Sequence, residues 1–574
     1  MIKTLIKKHR PAVILALILG VLMVLPFFYF ETKLGKDFKG ILPEIVNDEN
    51  FYYARIKDVI DGHQFLGNAY LLEHKDELPQ SISLAEYLLA QPLKLFHIGV
   101  QRGHLIYNFF LPLLAFILGY IALYLITRSK LKAIIFSSFL FFGLYLFAFI
   151  RPVSPQFNFI FWLAQFILLW RLLENPGSKR LLFLNILNFG LLFYIYPYYW
   201  TFYLIFFGIL IAVYFWKNRE LALKITAIVA GGLILAMPYF YFNYLSSQLS
   251  YYTETLARLG MIYSRFPSGF RIIFWSALVL MVFGWFLWKK IIHFNTKTIF
   301  FISGILASII AVNQHLVTGH NIEFSSHYSM GAIFFLVFAL AYLVSRYNAN
   351  TRMYANDTNK FLYLKLILTI IVLAVVTNGL YKYSNQAFAV SEEGVYIQNY
   401  TSVFEWLNKN TAKDSVVYAN PDLSGLVPVY TANNIFYVRE ANLFFISDTE
   451  VLDRFILNNF FEDFNKDFII ENVRSIYGVR YIDAYGHAVQ GNKLRRFLNI
   501  EPEPEIYLPE DAIQKALSRA KKLQSGDFIK ELKQFRIDYL IWDKNKNPYW
   551  QIGEDFDPIF NANNIIIYEI NGRK

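Results

Sequence analysis

The chain contains no cysteine. That absence excludes disulfides, thiolate metal sites and cysteine nucleophiles. Charge is also scarce. Only 17% of the 574 residues are Asp, Glu, Lys or Arg, against about 25% in an ordinary soluble protein. No internal repeat and no low-complexity tract breaks the sequence. The C-terminal third has no Gly-rich phosphate loop, no G-x-S-x-G and no metal-ligand spacing, so it does not read as a separate enzyme. What the chain has instead is apolar and aromatic: 56% hydrophobic and 19% Phe, Trp or Tyr, with a mean hydropathy of +0.36. These values describe a membrane protein with a soluble part attached.

The formal net charge is +11. Nucleic acid is one partner for such a charge, but the basic residues lie between apolar runs, as membrane topology requires. An apolar run of about 20 residues crosses a bilayer as a helix. Eleven such runs are predicted, at about 12–30, 105–126, 132–150, 157–173, 181–197, 200–216, 224–244, 271–288, 298–314, 328–345 and 361–381. The first follows a basic stretch but is too long for a signal-peptide core and has no small-residue cleavage site after it, so it reads as an uncleaved span. Only YPYYW separates the fifth run from the sixth, so these could be one broken helix.

The loops fix the expected orientation. TRSK, NPGSKR, KNRE, KK and RYNANTR fall on the side of Lys3, Lys7, Lys8 and Arg10. RPVSPQ, YPYYW and NQHLVTGHNIEFSSHY fall on the other. The positive-inside rule then places the N-terminus in the cytoplasm and, with eleven spans, the C-terminus outside. Residues 1–382 are thus expected to form a polytopic helical domain, with 31–104 as a long first outer loop. Residues 383–574 read as an extracytoplasmic α/β domain, because helical stretches such as TSVFEWLNKNT alternate with strands such as DSVVYAN, NNIFYVRE, FRIDYLIWD and NNIIIYEI. The first loop is predicted helical over NFYYARIKDVIDG and over SISLAEYLLAQPLKLF, the latter opened by a Ser83–Glu86 capping box and suited to the membrane surface. Ser447 and Glu450 have the same capping spacing in the tail.

The polar residues that could do chemistry collect on the outer side. Arg151 directly follows a span in a loop of about six residues. A guanidinium held at that depth offers a forked donor set for a lipid phosphate, and an interfacial snorkelling Arg is the plainer alternative. Asp48 and Glu49 sit just beyond the first span. A desolvated carboxylate there can serve as a base for a hydroxyl, but adjacent residues on a helix diverge by about 100°, so the two do not share one role. Helix capping by Asn47 or Asp48 competes with the catalytic reading. Arg55, Lys57, Asp58 and Asp61 read as the solvated face of the helix that follows, and Arg258 and Arg265 as solvated loop charges. His315, His320 and His327 lack zinc-binding spacing. They could bind a phosphate or position a sugar. Tyr198, in YPYYW, could stack on a sugar ring or a polyprenyl chain, although an aromatic belt at the interface is the plainer explanation.

With NDENFYYARIKDV, RPVSPQFNFIFW, NQHLVTGHNIEFSSHY and the tail's VFEWLNKNTAKDSVVYANPDLSGLVPVYTANNIFYV on the page, the chain resembles the GT-C superfamily of multipass membrane glycosyltransferases, including its mannosyltransferase-like members. The resemblance implies an inverting transfer of a sugar from a polyprenyl-phosphate donor to an acceptor hydroxyl at the outer face of the plasma membrane. The acceptor would be a glycan, a lipid or a protein. It carries the catalytic base onto Asp48 or Glu49, with Asp48 preferred. It places the donor phosphate on Arg151, His315, His320 or His327. Tyr52, Gln156, Tyr198, Gln314, Glu323 and Tyr328 are the candidate substrate contacts. The implied chemistry is metal-optional: no cofactor is required, a divalent metal is compatible, and the second acidic pair seen in some members is lacking. A transporter or lipid-carrier flippase is a second reading, opposed by the few charges at midspan and the missing repeat. A non-catalytic scaffold with an exported binding domain is a third.

Overall fold

A computed structural model describes residues 7–64, 67–80, 82–261, 263–321, 325–351, 358–552 and 556–570. Its membrane part is a bundle in which every predicted apolar run is helical, although not every run is one helix. Helix α1 (Arg10–Leu34) leads into the first loop, which contains α2 (Glu49–Asp61) and α3 (Leu84–Leu95) where two helices are expected. Gly62 closes α2 in the left-handed conformation that a helix C-terminus favours. The bundle continues with α4 (Val100–Thr127) and the short α5 (Lys130–Ser138). Next come α6 (Asn158–Glu174), α7 (Lys179–Ile195), α8 (Pro197–Lys217), α9 (Arg219–Leu235) and α10 (Met237–Ser247). After α11 (Tyr252–Arg258), the bundle closes with α12 (Phe270–Trp288), α13 (Thr296–Ala311), α14 (Ser329–Thr351) and α15 (Thr358–Ala387). Six of these helices are individually long and apolar enough to cross a membrane, seven if α9 and α10, bent by 51° about their junction, count as one span.

The departures from continuous helices are local and have causes. The third run breaks up after Ser138, and its last residues form a 3-10 turn, Phe147–Ile150. Arg151 is extended, at φ −84° and ψ 123°, because the ring of Pro152 excludes the helical conformation from the residue before it. The fifth and sixth runs are two helices, parted at Tyr196, whose backbone is extended before Pro197. The bundle core is aromatic. Trp162, Phe166 and Trp170 lie along one face of α6, fully buried against Phe202, Phe206, Phe300, Phe335 and Phe338.

One end of the bundle is basic. There Glu174 accepts from Arg128 and, at 3.0 Å, from Lys297. The first loop and the tail lie together at the opposite end. The tail contains a five-stranded sheet of β1 (Val416–Tyr418), β2 (Asn434–Ile435), β3 (Tyr539–Asp543), β4 (Pro558–Ala562) and β5 (Ile565–Glu569), ordered β2-β1-β3-β5-β4. β1 runs parallel to β2 and β3, while β5 is antiparallel to both β3 and β4. Four of these strands match the predicted ones. β4 is additional, a mostly exposed edge strand without the apolar pattern that marks the others.

The tail and the first loop share one core, in which Tyr53, Ile56 and Leu89 pack with Tyr400, Val427 and Phe444. That packing corrects two expectations. Arg55 and Asp58 are not on a solvated face. Arg55 pairs with buried Glu86 at 3.0 Å and lies over the Phe51 ring, and Asp58 pairs with Lys75 at 2.8 Å. Arg258 is fully buried, bonded to Asp448 and to the Ile446 carbonyl at 2.5 Å, because the tail covers the loop that sequence alone leaves open. Ser83 makes no capping bond to α3, whereas Ser447 accepts from the Glu450 amide at 3.1 Å as expected.

Candidate active site

The site forms where the first loop meets the turn that breaks the third apolar run. Asp48 precedes α2 with a left-handed backbone, φ 70°, which is uncommon outside glycine and tolerated best by Asp and Asn. Its side chain does not cap the helix. It accepts instead from Arg151 Nη1 at 2.8 Å. The capping alternative for Asp48 is thereby removed. Half of the Asp48 side chain is exposed, against 22% for Arg151, so solvent reaches the pair where the first loop meets the bundle.

Arg151 is held by more than its carboxylate. Nη1 also donates to the Asn47 carbonyl at 3.1 Å, and Nε donates to the Ser154 carbonyl at 2.5 Å. The guanidinium lies 5.2 Å from the centre of the Tyr52 ring, within reach of a cation–π contact. Five N–H donors on a planar fork can serve all of these partners. An ammonium has three donors but no fixed planar fork from which to reach them in these directions.

Glu49 turns the other way. It is 1% exposed, and its Oε2 accepts from the Ile45 amide at 2.9 Å while Oε1 is buried without a partner. Burial pushes its carboxyl well above the usual range. The two adjacent carboxylates therefore do different things, as their angular divergence requires. Asp48 meets Arg151 and solvent, and Glu49 ties down the loop that presents it.

His327 joins the site through Tyr196, whose hydroxyl contacts Nδ1. The Tyr198 ring lies 4.6 Å from the imidazole, and Tyr328, 5.1 Å from Tyr198, shares a hydrogen bond with Thr201 at 2.8 Å. Burial, with the nearby Arg151 charge, lowers the His327 pKa to about 4. The imidazole is neutral at pH 7, and the positive charge here is that of Arg151.

The other candidates go elsewhere. Gln314 donates to the His320 carbonyl at 2.8 Å within its own loop, and His315 bonds the Phe266 carbonyl at 2.7 Å with its ring toward His487 of the tail. The His320 ring packs against Tyr263. Among the described residues, no hydrogen bond, ion pair or ring contact joins His315 or His320 to Arg151. Glu323 lies outside the described residues. Gln156 is fully buried and faces the protein interior. Among the described residues no group of three His, Asp or Glu side chains is placed to hold a metal ion. Tyr196 adds to the sequence-derived set. Its position just before Pro197, in the YPYYW break, was the available signal.

Comparison with solved structures then places the architecture. The crystal structure of the Archaeoglobus fulgidus oligosaccharyltransferase in its apo form is similar over 94% of this chain and 70% of its own, with a TM-score of 0.50 and 12% identity. The chain shares the overall fold of that structure. ArnT from Cupriavidus metallidurans, solved with undecaprenyl phosphate, aligns with 99% of this chain and 98% of its own at a TM-score of 0.43 and 10% identity. No protein-family model and no curated protein sequence matches the chain.

Proposed function

We propose that the chain is a membrane glycosyltransferase that moves a sugar from a polyprenyl-phosphate donor to an acceptor hydroxyl at the outer face of the plasma membrane, with inversion. The observation that carries this reading is the Asp48–Arg151 pair, a carboxylate and a guanidinium 2.8 Å apart, open to solvent where the first loop meets an apolar bundle. The fold shared with an oligosaccharyltransferase supports the same class of reaction. The gathering of Arg128 and Lys297 at the opposite end supports a cytoplasmic basic side, with the site outside. Residues 383–574 serve as the extracytoplasmic cover of the first loop.

In this mechanism Arg151 exchanges partners. A donor phosphate at the interface takes the guanidinium, and the Asp48 carboxylate is released from its ion pair. Asp48 then accepts the proton of the acceptor hydroxyl as that oxygen attacks the anomeric carbon. The bond from the anomeric carbon to the phosphate oxygen breaks, and its electron pair leaves on the polyprenyl phosphate, whose charge Arg151 balances. Neutral His327, with Tyr196 and Tyr198, forms a polar aromatic wall for the sugar.

Binding of polyprenyl phosphate to the purified protein in lipid nanodiscs tests the phosphate assignment. Arg151→Ala is expected to weaken it at least about tenfold, the loss of a charge-assisted bond of roughly 1.5 kcal/mol or more. Unchanged affinity would remove Arg151 from the donor site.

A further inference from the structure

A line of buried polar side chains runs behind the Asp48–Arg151 pair. His104 and Asn108 lie one turn apart near the start of α4, 2% and 0% exposed. His104 Nε2 meets the Tyr53 hydroxyl of α2 at 3.0 Å and Asn108 Nδ2 at 2.8 Å. Asn108 Oδ1 accepts from Gln156 Nε2 at 2.5 Å, and the same amide donates to the Phe149 carbonyl. Phe149 and Gln156 flank Arg151 in the turn, and Gln156 N also reaches the Arg151 carbonyl at 3.4 Å. The line thus connects the helix that begins at Asp48 with the turn that bears Arg151.

The chemistry of the groups gives this line a direction. The Phe149 carbonyl can only accept, so Gln156 must present its NH2 there. The same NH2 donates to Asn108 Oδ1, which leaves Asn108 Nδ2 to donate to His104 Nε2. Nε2 therefore carries no proton and accepts, through its one lone pair, a bond shared between the Asn108 amide and the Tyr53 hydroxyl, and the ring proton lies on Nδ1.

Resting on the transferase reading, we propose that His104 is a positioning residue that sets the separation of Asp48 and Arg151, acting through Tyr53 on one side and through Asn108 and Gln156 on the other. It touches neither substrate nor reacting atoms. It needs an acceptor at Nε2, and an aromatic ring without that acceptor does not replace it.

The absence of cysteine allows a direct test in the full chain. Lys57→Cys on α2 and Leu144→Cys before the turn accept a pair of spin labels in nanodiscs, and their distance distribution reports the register of the two elements. It is expected to broaden in His104→Phe, which keeps an aromatic ring but has no acceptor, and in Tyr53→Phe, which removes only the loop-side contact. It is expected to narrow again in His104→Gln, whose amide oxygen can accept. In a sugar-transfer assay His104→Phe is expected to lose about 100-fold in kcat, the scale of an ångström-sized misplacement, with the donor KM kept and His104→Gln partly rescued. Wild-type distance distributions in both Phe variants, or a broad one in His104→Gln, would overturn the proposal. Should His104→Phe not fold, Tyr53→Phe decides alone. A wild-type protein without transferase activity would count against the proposed function, and the distance measurement would still decide the role of His104.

Discussion

Asp48 and Glu49 are neighbours in sequence with opposite surroundings. The left-handed backbone at Asp48 sends one carboxylate to Arg151 and solvent, the other into the loop. Their divergence was legible from helix geometry. Which one faces out was not, because it depends on a single backbone angle and on the Ile45 amide. Two predictions belong at this scale. Burial raises the Glu49 pKa, so ionising it works against the fold, and that cost grows as pH climbs through the raised value. Glu49→Gln, which keeps an acceptor for Ile45, should therefore match or exceed the wild-type thermal midpoint at pH 8–9. A lower midpoint would show that the charge stabilises the loop. Arg151→Lys keeps the charge and loses the fork. It should weaken donor binding severalfold and reduce transfer, where a charge-only role would leave both near wild type.

The elements were more legible than the contacts between them. Apolar length predicted the helices of the bundle, and Pro152 and Pro197 account for both breaks that carry site residues. What the sequence could not reveal was which charged side chains the tail would cover. Arg258 reads as a loop charge because its partners, Asp448 and the Ile446 and Asn442 carbonyls, lie nearly 200 positions away. Breaking such a buried pair from one side typically costs about 3–5 kcal/mol. Arg258→Ala should lower the stability of the loop–tail junction by an amount of that order, read as earlier proteolytic cleavage of the tail in a denaturant series. A shift no larger than that of Arg265→Ala, an exposed control, would contradict the assigned burial.

For the whole molecule, the fold places an extramembrane sheet against the first loop, and charged contacts lock the two. His74 donates toward Glu450 at 3.0 Å and pairs with Glu77 at 3.0 Å. Burial lowers its pKa, but Glu450 and Glu77 outweigh that and raise it to about 9. A raised histidine stabilises the folded state fully below its ordinary value of about 6.5 and loses that contribution as pH rises through the folded value. Junction stability should therefore decline between about pH 6.5 and 9, and His74→Gln should flatten the profile. A wild-type profile without that decline would contradict the role of His74. A fold of this kind constrains architecture and leaves function to the site, so the Asp48 carboxylate bears the central claim. Transfer of a labelled sugar from a polyprenyl-phosphate donor, measured in proteoliposomes, should fall at least about 100-fold in Asp48→Asn, the range of a lost general base. Equal transfer by the wild type and Asp48→Asn would contradict it.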